Sequence, residues 1–137
     1  MSTAITVLLA FTALTIALAV IYVGYRTALV LSRRAPANSW TRGAPSHEDP
    51  AWVTRFQNAH LNCLENLPLY AAVVLGAYVS GQLSLLEGLA WIYFGARVAQ
   101  VLIHVISTSP TFVFLRANVW FVQLAILAYW IYALLAA

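Results

Sequence analysis

Long apolar runs separated by short polar breaks predict helices that cross a bilayer. Residues 4–31 form the first, uncharged as far as Tyr25, which at 1.5 Å per residue is about 33 Å of helix. Arg26, near its end, is placed to snorkel to the interface. A polar loop over 32–51 follows, with Arg33, Arg34, Arg42, Glu48, Asp49 and prolines at 36, 45 and 50. Further helices are predicted over 52–80, 85–107 and 111–135. The turn Gly81-Gln82-Leu83-Ser84 and the break Ser107-Thr108-Ser109-Pro110 separate them. In the last helix Trp120, Tyr129, Trp130 and Tyr132 read as interfacial anchors. The fold expected is an all-α integral membrane protein, an up-down four-helix transmembrane bundle forming one domain over 1–137.

The two middle helices break the apolar pattern along one stripe each. Arg55, Asn58, Asn62, Glu65 and Asn66 fall within roughly 100° of one another at helical periodicity, and Tyr93, Arg97, Gln100 and His104 within roughly 60°. Ionisable groups inside a membrane are costly unless they meet partners, so such a pair of stripes marks a site. The short turn makes these helices antiparallel neighbours. Depth counted from their ends then pairs Glu65 with Arg97, Asn62 with Gln100 and Asn58 with His104, and a carboxylate beside a guanidinium satisfies both. His60 lies off the stripe and is expected to touch another helix. Cys63 reads as a small buried apolar group, with no flanking base to make it a nucleophile. The histidines lack metal-ligand spacing, so no metal site is expected.

Composition narrows the class. Of 137 residues 63% are hydrophobic and only 8% charged, against about a quarter charged in soluble domains. A single cysteine excludes an internal disulfide. All seven basic residues are arginines, and no basic patch is interleaved with aromatics, so nucleic-acid binding is not expected. The first loop carries Arg33, Arg34 and Arg42, and Arg116 follows the third break, whereas the second turn and both ends carry no arginine. Both termini are therefore expected to face away from the cytosol. The absence of lysine and the short chain suit a bacterial inner membrane. Ala17-Leu18-Ala19 looks like a signal-peptide cleavage site, but no positive stretch precedes it, so an uncleaved first span is expected.

Taken together, Arg55-x-x-x-Ala-His-Leu-Asn62-Cys-Leu-Glu65-Asn-x-Pro68 resembles the second-helix signature of the MAPEG family, the membrane-associated proteins in eicosanoid and glutathione metabolism. Gly95-Ala-Arg97-Val-Ala-Gln-Val-Leu-Ile-His104 is similar to that family's third-helix motif, and the likeness covers essentially the whole chain. It implies a homotrimer with sites between subunits near the cytoplasmic side, where glutathione is bound as co-substrate and hydrophobic small molecules enter from the membrane lipids. By that resemblance the ligand lies among Arg55, Asn58, Asn62, Glu65, Tyr93, Arg97 and Gln100. Asn62 and Glu65 would meet the tripeptide's backbone and amino group, and Arg97 would hold Glu65 or a glutathione carboxylate. The chain departs from the family where Asn58 replaces an arginine and His104 a tyrosine, and 110–114 hold no arginine. Catalysis by the bound thiolate would then fall to Arg116, stabilising the sulfur, and to His104, orienting it. The function implied is a glutathione-dependent transferase or peroxidase. The alternative is a non-catalytic member that binds lipid or a partner protein in the same crevice. A small multidrug transporter ranks below both, since no acid precedes Glu48.

Overall fold

Capping chemistry sets where the helices begin and end. The Ser2 hydroxyl accepts the Ile5 N–H at 3.3 Å and opens α1, Thr3–Leu31. That helix closes in a left-handed turn, where Arg33 (φ 58°) donates to the Val30 carbonyl and Arg34 to that of Leu29. The second helix, α2 over Ala51–Val79, closes the same way, with Gly81 (φ 73°) donating to Tyr78 and Gln82 to Ala77. Such a conformation costs a residue with a Cβ about 1–2 kcal/mol, which Gly81 avoids and Arg33 bears. A 3-10 turn, Leu83–Leu86, leads into α3, Glu87–Ile106, and Pro110 starts α4, Pro110–Ala136. This computed structural model describes every residue except 42 and 44, so Arg42, which the loop's charge includes, lies outside the described residues.

The helices form an all-α bundle in which α1 packs on α2 and α3, and α4 packs on α3 and α2. Among the described residues the α1 and α4 backbones do not approach each other closely. Each helix sends one ring to the centre: Phe11, Tyr70, Tyr93 and Trp130, all fully buried. Tyr70 and Tyr93 stack with centroids 4.6 Å apart, and Trp130 lies 5.9 and 5.8 Å from them. Trp130 is therefore a core residue and not an interfacial anchor, whereas Tyr129 and Tyr132 beside it are exposed. The Tyr70 hydroxyl donates to the Ala4 carbonyl at 3.1 Å, which satisfies its polar end away from water.

Among the described residues three segments are long and apolar enough to cross a membrane: Thr3–Leu31, Leu83–Ile106 and Pro110–Ala136. Of the four helices expected to cross, α2 falls short on hydropathy alone. It is as long as α1, at 29 residues, but its polar stripe lowers its hydropathy below that of a free-standing span. A helix of this kind belongs in a bilayer only where neighbouring helices shield its polar face. His60 meets α1, as its off-stripe position implies, with Nδ1 3.0 Å from the Thr15 carbonyl and its ring 5.6 Å from that of Tyr22. Cys63 is buried in the core with its thiol free.

Candidate functional site

The first loop folds back on the arginine-rich end of the bundle. Arg26 does not snorkel freely. Its Nε donates to Asp49 at 2.9 Å, its Nη2 also donates to Gln57 at 2.7 Å, and its guanidinium lies 5.2 and 5.4 Å from the Tyr22 and Trp40 rings. The Trp40 indole N–H donates to the other Asp49 oxygen at 2.9 Å, so this carboxylate ties the loop to α1, and Arg26 carries the tie on to Gln57 of α2. Asp49 is 6% exposed, which makes the pair more than a solvated surface contact. Asp49→Ala is expected to cost about 1.5–3 kcal/mol, since it strips two donors of a charge-assisted partner. Thermal unfolding in detergent, with limited proteolysis of the loop, checks this; unaltered proteolysis would remove the loop-tying role.

Beneath this latch lies a cavity of about 620 Å³ to which α2 contributes Thr54, Arg55 and Asn58, the loop His47 and Glu48, and the break after α3 Thr108. Arg55 is pinned there. Its Nε donates at 2.7 Å to the carbonyl of Val105, one of the last carbonyls of α3 left without an intrahelical donor. A cation, a carboxylate, an imidazole and an amide thus share one polar pocket at the mouth of the bundle.

From Asn58 the polar face of α2 runs up the outside of the bundle. Ala59, Cys63, Asn66 and Tyr70 form the buried seam of the helix, which turns the adjacent positions outward: Asn58 and Glu65 are exposed and Asn62 is half-buried. The four stripe residues of α3, Tyr93, Arg97, Gln100 and His104, are by contrast all buried. Their partners differ from those expected. Arg97 donates through Nη1 to the Asn62 side-chain oxygen at 2.8 Å, not to Glu65. Gln100 accepts from Gln123 of α4 at 2.8 Å, not from Asn62. Asn58 and His104 share no hydrogen bond among the described residues, and Asn66 turns its amide back to the Asn62 carbonyl at 2.9 Å. Arg97 therefore meets α2 three residues earlier than depth counting predicts. Three residues are about 4.5 Å of rise and 60° of rotation, enough to exchange one partner for another.

Arg116 sits half-buried on the second turn of α4, beyond the short break that separates this helix from His104 on the last turn of α3. Tyr93 is committed to the aromatic core and Gln100 to the α3–α4 contact. The structure thus brings Arg55 and Asn58 together at the cavity and Asn62 with Arg97. It leaves Glu65 without an ion-pair partner among the described residues. The latch of Arg26, Trp40, Asp49 and Gln57 was not foreseen. Its one signal in the sequence is an aspartate directly before Pro50 at the end of the chain's only long polar loop.

A further apolar groove of about 610 Å³ runs between α2 and α4, lined by Leu69, Ala72, Gly76, Leu124, Ala128 and Ile131 among others. It lies beyond Glu65 along α2, in the half of the bundle away from the cavity.

The sequence profile of the MAPEG family matches residues 3–136. Nothing among curated proteins or solved structures matches the chain.

Proposed function

The chain belongs to the MAPEG family, a family of membrane four-helix bundles, and on that premise we propose that this multi-pass membrane protein is a glutathione-dependent transferase or peroxidase acting on hydrophobic electrophiles. The observation that carries the reading is the outward face of α2. Asn58 and Glu65 are exposed polar groups on a helix flanked by spans, and they continue a polar cavity that holds Arg55. A carboxylate facing lipid is costly, so this face calls for a cover, and a second subunit together with a polar ligand supplies one. The site then lies between subunits of a homotrimer, at the end where the arginines of the loop and of α4 collect. By the distribution of arginines that end faces the cytoplasm of a bacterial cell and both termini face away from it.

In this reading Arg55 and Asn58 take the charged end of glutathione, Asn62 and Glu65 its peptide groups, and the thiol lies toward Arg116 and His104. Arg116 stabilises the thiolate electrostatically, and His104 holds the sulfur by a hydrogen bond. The electrophile arrives through the lipid. Titrating glutathione into the purified protein tests this: the ultraviolet absorbance of the thiolate is expected to grow, and to be lost in Arg116→Ala. No thiolate signal at millimolar glutathione would remove the catalytic reading.

The groove between α2 and α4 favours a second reading, a non-catalytic member that binds lipid, there rather than in the crevice expected for glutathione. Native mass spectrometry separates the two: bound glutathione, with or without lipid, favours the enzyme, and lipid retained with no glutathione ever bound favours the second reading.

A further inference from the structure

Arg97 is wholly buried, and among the described residues its Nε and Nη2 have no partner and no carboxylate lies within ion-pair distance. Its other partners are the Phe11 ring, 5.1 Å from the guanidinium carbon, and the Asn62 amide at 2.8 Å. An unpaired guanidinium at this depth is costly, and a helix contact alone does not require one. A guanidinium has N–H donors and no acceptor, so the Asn62 atom that meets it has to be the amide oxygen. The opposite amide orientation would set donor against donor. The Asn62 N–H2 group is thereby turned away from Arg97. It makes no hydrogen bond among the described residues, and it is not among their buried polar atoms that lack a partner, so it opens on the surface of the subunit.

We propose that Arg97 is a positioning residue that acts through Asn62, fixing the polarity with which the outer face of α2 reads a ligand. Position 62 offers a donor and position 65 an acceptor, one helical turn apart with Cβ atoms about 5–6 Å from each other. The group that fits turns a carbonyl or carboxylate oxygen to Asn62 and an N–H or ammonium to Glu65, in that order along the helix. The ligand part rests on the glutathione reading above; the orientation of the amide does not.

Wild type, Asn62→Asp and Arg97→Lys are compared in nanodiscs for glutathione affinity by calorimetry, for unfolding temperature, and for the Asn62 side-chain amide by NMR. Asn62→Asp keeps an acceptor for Arg97 and deletes the outward donor. The expected result is an unfolding temperature at or above wild type with affinity weakened about 10- to 100-fold. Arg97→Lys, still a donor without an acceptor, keeps affinity within a few-fold of wild type. Wild-type affinity in Asn62→Asp overturns the proposal, since a merely structural amide would tolerate that change. Should wild type bind no glutathione, the functional reading falls and the amide decides the proposal by itself. Broadening of its signals by water-soluble or lipid-borne paramagnetic probes supports outward N–H groups, and protection from both overturns them.

Discussion

Trp130→Ala is expected to destabilise the bundle by roughly 3 kcal/mol, the low end for deleting a large core aromatic. The low end applies because the transfer part of that cost presumes water as the alternative, and a membrane bundle has lipid as its alternative. What remains is the cavity and the lost dispersion contacts with Tyr70 and Tyr93, whose ring centroids lie 5.9 and 5.8 Å away. Because Tyr70 and Tyr93 belong to α2 and α3, the hole loosens three helices at once. Thermal unfolding in a single detergent, followed by circular dichroism, reads the effect, and Trp130→Phe should recover most of the loss by refilling the ring volume. An unfolding temperature unchanged in the alanine variant would mean that Trp130 faces lipid as an anchor after all.

Glu65→Ala is expected to weaken glutathione binding by about 10- to 150-fold, the equivalent of one charge-assisted contact of about 1.5–3 kcal/mol in a dry site. Within the bundle Glu65 is exposed and has no ion-pair partner among the described residues, so the fold of a single chain does not depend on it. The two readings of this residue give opposite signs for stability. If Glu65 faced lipid, removing the carboxylate would raise the unfolding temperature, since a costly group has gone. If a neighbouring subunit or ligand covers it, the substitution leaves a gap in that contact, and both affinity and assembly suffer. Calorimetry with glutathione and cross-linking of the oligomer, on the same preparation, separate these outcomes. Affinity equal to wild type would take Glu65 out of the site.

Several of these features are legible in the residues alone. The off-stripe angle of His60 foretold its contact with another helix, and the small apolar character of Cys63 foretold its burial. The two polar stripes were equally plain, because helical periodicity is a local property. Trp130 was misread for a related reason. An aromatic residue near the end of a span looks the same whether it anchors at the interface or packs inward, and only its angle relative to Ile126 and Leu127, buried on the same face, distinguishes the two. The latch of Arg26 and Asp49 was out of reach for another reason, since 23 residues of chain separate the partners and the path of a polar loop has no periodicity to read.

By themselves, the amino acids determined that this chain folds as membrane helices, where those helices break, which family it joins, and which faces of α2 and α3 are polar. Each of these follows from composition, run length or spacing within one segment. The tertiary structure alone decided that Arg97 meets Asn62 and leaves Glu65 facing outward. A three-residue slip between antiparallel helices leaves the pattern of each helix unchanged, and so it is invisible in either. Packing chose the register: the seam of Ala59, Cys63, Asn66 and Tyr70 had to fit the bundle's interior, and that rotation turned Asn58 and Glu65 to the outside.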